Sequence, residues 1–307
     1  MPNENPYHSG ELKIQEALGE SMIAQRNGRA VSNSIIKGAL KFIEQQALSV
    51  IGTLGDEGNL WSSILIGEPG WMKAEDDQSV QLDLSHEVLR ADDPFWKNIQ
   101  LNPNVGFLII ELESRRRLRI NGVLQDLGNQ RFRLKVEESY PNCPKYIQKR
   151  SFALGSSEDL DGGRFTGSDL SQRQIHLVRG SDTFFVSSAH QNDKLDLSHR
   201  GGFPGFVEVL TPQLLRIPDY SGNSMYNTLG NFSVYPRAGL TFIDFKKSRT
   251  LQLTGKPKIQ WSLPDEDNLT GGTKRFWDFE IDHWIEAPLL RSIEVFDFEL
   301  SPHNPKI

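Results

Sequence analysis

The run DLSHRGGFPGF, Asp196 to Phe206, sets an imidazole, His199, beside a guanidinium, Arg200, with Ser198 before them and a double glycine after. Further on, IPDYSGNSMYNTLGN places Asp219, Tyr220, Asn223 and Ser224 on a glycine-bearing turn that runs into a helical pattern. Asn223 or Ser224 is suited to cap that helix. Such a turn leaves backbone N–H groups free, and a guanidinium can fork onto the same ligand, so the pairing suits a phosphate. The plainer alternative pairs Arg200 with Asp196 or Asp219 and leaves His199 as an ordinary surface residue.

The elements that must position these residues show when the two halves of the chain are laid side by side. GEPGW begins at Gly67 and GFPGF at Gly202; Pro103 of NPNVGFLIIEL matches Pro236 of YPRAGLTFIDF; Gly122 of RRLRINGVLQ matches Gly255 of RTLQLTGKPK. Three matches in one order at near-constant spacing read as two copies of one fold, related by duplication. Each copy opens with a helical stretch, Ile35 to Gln46 and Leu170 to Val178, followed by the apolar strands LSVIGTL and TFFVSSA and a polar turn. A short helix stopped by proline comes next, and Met225, Leu229 and Phe232 share one helical face. The closing strands RLRING and TLQLTG alternate polar and apolar residues, which predicts one face inward and one outward. Short strands with one or two helices per copy indicate a small antiparallel barrel. The expected divisions are a helical leader at 1–32, a first barrel at 33–150, a Gly/Ser/Asp-rich linker at 151–168 and a second barrel at 169–307. Leu12, Ala17, Leu18, Met22 and Ile23 fit one amphipathic leader helix packed on the barrels.

Duplication also allows an internal comparison. The Gly-Pro-Gly turn, the proline after the helix and the closing glycine occur twice and read as fold. SHRGG occurs once: His199 and Arg200 face Ile64 and Leu65 of the first copy. At the first copy's helix start stand Asp92 and Asp93 with Pro94 at the first helical position, and these acids satisfy the helix dipole and repel a phosphate. The first copy therefore reads as a degenerate site and the second as the working one.

Other constellations are weaker. His176, His190 and His199 lack close metal-ligand spacing, so no metal is expected. No GxSxG or paired-carboxylate pattern points to a hydrolase. Strand alternation splits the arginines of SRRRLR (Ser114 to Arg119) between faces and suggests solvent exposure, although Arg116 and its counterpart Arg249 can reach a ligand. The single cysteine, Cys143, can form no internal disulfide. In 307 residues the net charge is −6, which argues against a broad nucleic-acid or membrane surface and leaves room for a local basic pocket. With no signal-like N-terminal pattern and no apolar run near the roughly 18 residues of a membrane span, the expectation is a cytoplasmic protein.

From about residue 33 to 300 the chain resembles the pyridoxamine 5′-phosphate oxidase-related family of FMN-binding split β-barrels, most closely a two-barrel subgroup. The resemblance rests on DLSHRGGFPGF, on IPDYSGNSMYNTLGNFSVYPRAGLTFIDF, on LQLTG and on NCPKYIQKR at the close of the first copy. It implies a mainly β fold with short helices (α+β), tandem split β-barrels, and FMN held at an interface between barrels, within one chain or in a homodimer. Arg200 matches the family's strand arginine, with Ser198 and His199 beside it. Asp219, Tyr220, Asn223 and Ser224 match the turn and helix start, and Arg249 a later-strand contact. Tyr220, Tyr226 or Phe203 would wall the flavin ring. The Ser-Arg-Lys phosphate grip of the true oxidases and their C-terminal Trp and Arg motif have no counterpart here, so the resemblance supports flavin more than vitamin B6 oxidation. It implies a flavin-dependent oxidoreductase acting on a small redox substrate, with NAD(P)H as a candidate donor and His199 as the one candidate acid or base. The alternatives are a non-catalytic flavin binder or a haem binder, the latter needing a histidine on an exposed barrel face.

Overall fold

The structure is a computed structural model and describes residues 5–156, 162–190 and 194–305. The first half contributes β1 (Leu48–Leu54), β2 (Leu60–Ile66), β3 (Met72–Lys73), β4 (Ser79–Asp83), β5 (Asn104–Glu111), β6 (Arg116–Gly128), β7 (Arg131–Pro141) and β8 (Lys149–Leu154). The second contributes β9 (Phe165–Gly167), β10 (Thr183–Ala189), β11 (Leu195–Gly201), β12 (Glu208–Thr211), β13 (Leu214–Pro218), β14 (Ala238–Asp244), β15 (Arg249–Gln260), β16 (Phe276–Pro288) and β17 (Ile293–Glu299). The helices are α1 (Ser9–Ala17), α2 (Ser21–Gly28), α3 (Leu40–Glu44), α4 (Pro94–Leu101), α5 (Gln172–Gly180) and α6 (Asn227–Val234). Among the described residues no helix is long and apolar enough to cross a membrane.

Two antiparallel sheets dominate, with orders β2-β1-β5-β6-β7-β4-β3 and β11-β10-β14-β15-β16-β13-β12. Counted from β1 in the first sheet and from β10 in the second, the two orders are the same. The fold is mainly β with short helices, as expected from the sequence. Each half encloses its own core: Phe42, Phe95, Phe107 and Phe132 in the first, Phe184, Phe242, Trp277 and Phe279 in the second. A third cluster draws on both, with Val50, Ile64 and Leu108 packed with Phe185, Leu197 and Ile243. The halves are therefore joined by a dry apolar core of their own, which makes them one body. The two Gly-Pro-Gly runs form the same turn: Phe206 N–H bonds Phe203 O at 2.9 Å and Trp71 N–H bonds Glu68 O at 3.4 Å. Gly205 (φ 92°) and Gly70 (φ 102°) take the left-handed third position that a Pro-Gly turn of type II requires.

Four expectations are corrected. The leader is not one helix: Gly19, at φ 70°, separates α1 from α2, and Leu12, Met22 and Ile23 stay exposed while Ile14 and Ala24 are buried. The stretch 151–168 is not a free linker. Residues 151–154 belong to β8, which pairs with β17, and 165–167 form β9, which pairs with β16 of the second sheet; residues 157–161 lie outside the described part. Met225 does not share a helical face with Leu229 and Phe232. It precedes α6 and packs instead with Tyr7, Ala24 and Tyr140. Nor does the alternation in β15 separate core from solvent, because residues 249–255 are buried throughout. Their polar face lies against the other half, where Gln252 donates to Ser62 O at 3.0 Å and to Ser63 Oγ at 3.2 Å.

Candidate functional site

Where β11 of the second half crosses β6 of the first, a cleft opens beside the start of α6. Ser198, His199, Arg200, Asp219, Tyr220, Asn223 and Ser224 all line it. So do residues the sequence reading left aside: Arg117, Arg119, Lys145 and Tyr146 from the first half, and Phe206 and Thr228 from the second. Arg249 is not among them. Its guanidinium is buried against Glu286 at 2.9 Å and donates to Gly163 O, also at 2.9 Å. Arg116 likewise turns away, to Glu111 at 2.7 Å and over the Phe42 ring.

Arg117 and Arg119 come from one strand face because they are two residues apart; Leu118 between them enters the first core. That spacing was the available signal for them, and it was read as solvent exposure because nothing in one sequence shows a second sheet covering the polar face. Arg119 is 3% exposed, lies 3.3 Å from Asp196 and also donates to Ser198 Oγ and Tyr140 Oη. Among the described residues the Arg117 guanidinium donates to carbonyl oxygens, Cys143 O at 2.7 Å and His199 O at 3.4 Å. Burial and the neighbouring Arg119 and Arg200 push its ionisation down to about 9. Arg200 lies 3.5 Å from Asp219, and Asp219 is shared with Arg275 at 3.1 Å. The pairing of Arg200 with Asp219 is thus real, but it leaves Arg200 half-neutralised by a carboxylate that serves two guanidiniums. Among the described residues, four cationic side chains (Arg117, Arg119, Lys145, Arg200) and one carboxylate (Asp219) line the cleft.

The α6 start differs from the expected cap. Neither Asn223 nor Ser224 caps it: the cap position is Tyr226, left-handed at φ 60°, with no side-chain hydrogen bond to the first turn. Asn223 instead accepts from Met225 N–H at 3.1 Å, and Ser224 is left-handed at φ 61°. With no side chain serving the helix start, its first-turn residues Asn227, Thr228 and Leu229 line the cleft. The aromatic wall is Tyr146 and Tyr220, ring centroids 4.9 Å apart, with Tyr226 and Phe206; Phe203 is not part of it.

Several polar atoms here are buried without a partner: both ring nitrogens of His199, Arg119 Nε and Arg200 Nε. Buried groups of this kind ordinarily find partners, and all three residues are among those that line the cleft. His199 is 5% exposed. Burial, with Arg117, Arg200 and Arg150 around it, holds its imidazole well below the usual histidine range and therefore neutral. A buried His199 is also not the exposed-face histidine that a haem would need. The enclosed volume is about 110 Å³, below the roughly 300 Å³ where small-molecule pockets begin. It takes a phosphate-sized group, and a larger body attached to it must lie across the open mouth.

The corresponding place in the other half, where β2 meets β15 and α4, is closed. Asp93 caps α4 by accepting from Phe95 N–H at 2.9 Å, and it also accepts from Gln252 at 3.2 Å. Ile64, Leu89, Thr250 and Leu289 leave a cavity of only about 20 Å³. Gln252 and Thr250 stand on β15 where Arg119 and Arg117 stand on β6. Among the described residues no group of three or more His, Cys, Asp or Glu is placed to hold a metal.

No protein-family model and no curated protein sequence matches the chain. Among solved structures it is similar to a putative pyridoxamine 5′-phosphate oxidase from Lactobacillus delbrueckii, at 10% identity and a TM-score of 0.33, over 40% of this chain and 98% of that one. It is similar to a protein related to general stress protein 26 from Clostridium acetobutylicum, at 14% identity and a TM-score of 0.29, over 41% of this chain and 92% of that one. It is also similar to HupZ from Group A Streptococcus, at 9% identity and a TM-score of 0.30, over 43% of this chain and 98% of that one.

Proposed function

We propose that the cleft between the two halves binds the phosphate of FMN and that the protein is a flavin-dependent oxidoreductase. The observation that carries this is Arg117, a half-buried guanidinium whose hydrogen bonds among the described residues go to carbonyls, beside two further arginines and one shared carboxylate. A phosphate dianion supplies the missing charge and the acceptors for the unpartnered nitrogens of Arg119, Arg200 and His199. In this reading Arg117, Arg119, Arg200 and Ser198 hold the phosphate with the α6 first turn, and Tyr146, Tyr220 and Tyr226 wall the ring across the mouth. A flavin, when bound, supplies hydride or single-electron transfer. The residues of the chain contribute binding, orientation and a fixed positive field, and the neutral His199 contributes one N–H and one acceptor. NAD(P)H as donor, a small redox substrate, a cytoplasmic setting and descent of the two halves from one barrel by duplication belong to the same proposal.

A non-catalytic flavin binder is the second reading, favoured by one observation: His199, the imidazole lining the cleft, is held neutral and is poorly suited to deliver protons. Titrating purified protein with FMN, followed by absorbance and flavin fluorescence, tests binding. Arg200→Ala is expected to weaken it about 10- to 100-fold, since hydrogen bonds to charged groups are worth roughly 1.5–3 kcal/mol. Wild-type protein that takes up no FMN, or a variant that binds equally well, rules the assignment out. Bleaching of bound flavin by NADH or NADPH separates the enzyme from the passive binder.

A further inference from the structure

The loop that opens α6 carries two left-handed non-glycine residues, Ser224 and Tyr226, within three positions. Such conformations cost free energy and persist where surrounding structure enforces them. The enforcing contacts come from the far end of the sequence. Gln15 Nε2, on α1, donates to Met225 O at 3.0 Å, and Asn27 Nδ2, on α2, donates to Asn223 O at 2.8 Å. Glu20, which lies between the two helices, is close enough to the Tyr226 phenol to help raise its ionisation. Asn227 Nδ2 donates to Glu11 on α1, while Asn227 Oδ1 accepts from Arg119 of the cleft at 3.3 Å. The leader thus grips both sides of the left-handed turn and, through one amide, touches an arginine of the site.

Its seat is close-packed. α1 lies on α6 with Gly10 against Gly230: a Cβ on either would stand 2.4 Å from the opposite chain, at Gly230 O or Glu11 Cγ. Gln15 is 1% exposed and Glu11 3% exposed, so these contacts are not surface decoration.

We propose that the N-terminal helices are part of the ligand site, with Gln15 and Asn27 as positioning residues that hold the 223–227 backbone and Glu11 setting Asn227, and through it Arg119. The choice of ligand rests on the phosphate reading of the cleft; the mechanical role of the leader does not. In the intact chain, losing both amide donors frees the loop to leave its left-handed conformation and flattens the cradle, while β11 and its arginine stay in place.

The test uses the full-length chain carrying Gln15→Ala, Asn27→Ala, both together, Glu11→Ala and Glu11→Gln. Hydrogen exchange at the amides of 224–229 is expected to rise roughly tenfold or more in the double variant, two hydrogen bonds being lost, with β11 amides unchanged. In the same variant FMN should bind roughly tenfold more weakly while riboflavin, which has no phosphate, is unaffected. Glu11→Gln keeps one acceptor, for Asn227, and loses the one for His8 N–H, so it should lie closer to wild type than Glu11→Ala does. Should the double variant fold poorly, Asn27→Ala alone, at a half-buried position, carries the exchange measurement. Unchanged exchange in the loop overturns the proposal whether or not FMN binds. Raised exchange in a protein that never binds FMN upholds the leader's role and removes the flavin reading.

Discussion

Among single residues, Arg117 distinguishes this cleft from a collection of ordinary ion pairs, because a half-buried guanidinium without a carboxylate is left short of a counter-charge that a ligand can provide. Burial and the neighbouring Arg119 and Arg200 weaken its hold on the proton, yet a guanidinium stays charged in a folded protein, so what it lacks is a counter-anion. In Arg117→Gln FMN binding should be about 10- to 100-fold weaker, by much the same factor at each pH from about 7 to about 9, where the phosphate is a dianion, which a set of titrations reads directly. Arg249 belongs to a different class. Paired with Glu286 in the interior, its replacement by alanine should cost about 3 kcal/mol of stability, the scale for breaking a buried pair, and leave FMN affinity within about twofold. Denaturant unfolding and the same titration check both halves of that statement. The difference between the two arginines also shows what the sequence carries. That Ser198, His199, Arg200, Asp219, Tyr220, Asn223 and Ser224 share one cleft was legible because they crowd two short runs, whereas the place of Arg249 outside it and of Arg117 within it was not, because strand alternation shows that faces differ without showing what covers each.

For the elements, the pattern of strands and the two Pro-Gly turns followed from apolar runs and turn chemistry, while helix boundaries did not. The start of α6 depends on Tyr226 adopting a left-handed conformation that no cap residue announces, and the break between α1 and α2 falls at a single glycine. Both are settled by tertiary contacts of the leader. Those contacts carry a pH dependence of known sign. Glu11, with Asp196 and Glu138 facing it and His8 and Asn227 bonded to it, is pushed up to about 8 by burial and by those carboxylates. The folded chain therefore keeps a proton that the unfolded chain releases near 4.5. Docking of the leader is favoured at low pH and weakens as pH climbs from about 4.5 to about 8, with no further loss from this group above that. Protease susceptibility of the leader measured across this range should follow that course, and in Glu11→Gln the Glu11 contribution should disappear; a protein equally resistant at both ends would contradict the assignment.

For the whole molecule, two sheets of one strand order share the cluster around Phe185, Ile64 and Leu197, so the site's two walls are as fixed as a domain core. Phe185→Ala empties the centre of that cluster and should cost about 3–5 kcal/mol, with both halves unfolding in one transition by calorimetry. Separate transitions would mean that the halves are independent and the cleft between them is not built. The asymmetry of the molecule makes the further demand. One inter-sheet place holds three arginines and an uncapped helix start; its counterpart is filled by Asp93, Gln252 and aliphatic side chains. Calorimetric titration of the purified chain with FMN and, in parallel, with riboflavin tests this most directly. One FMN per chain, with riboflavin weaker by a factor of 100 or more, is the expected result. Two equivalents per chain, or equal affinity for the two flavins, would show that the arginine cleft is not the phosphate site.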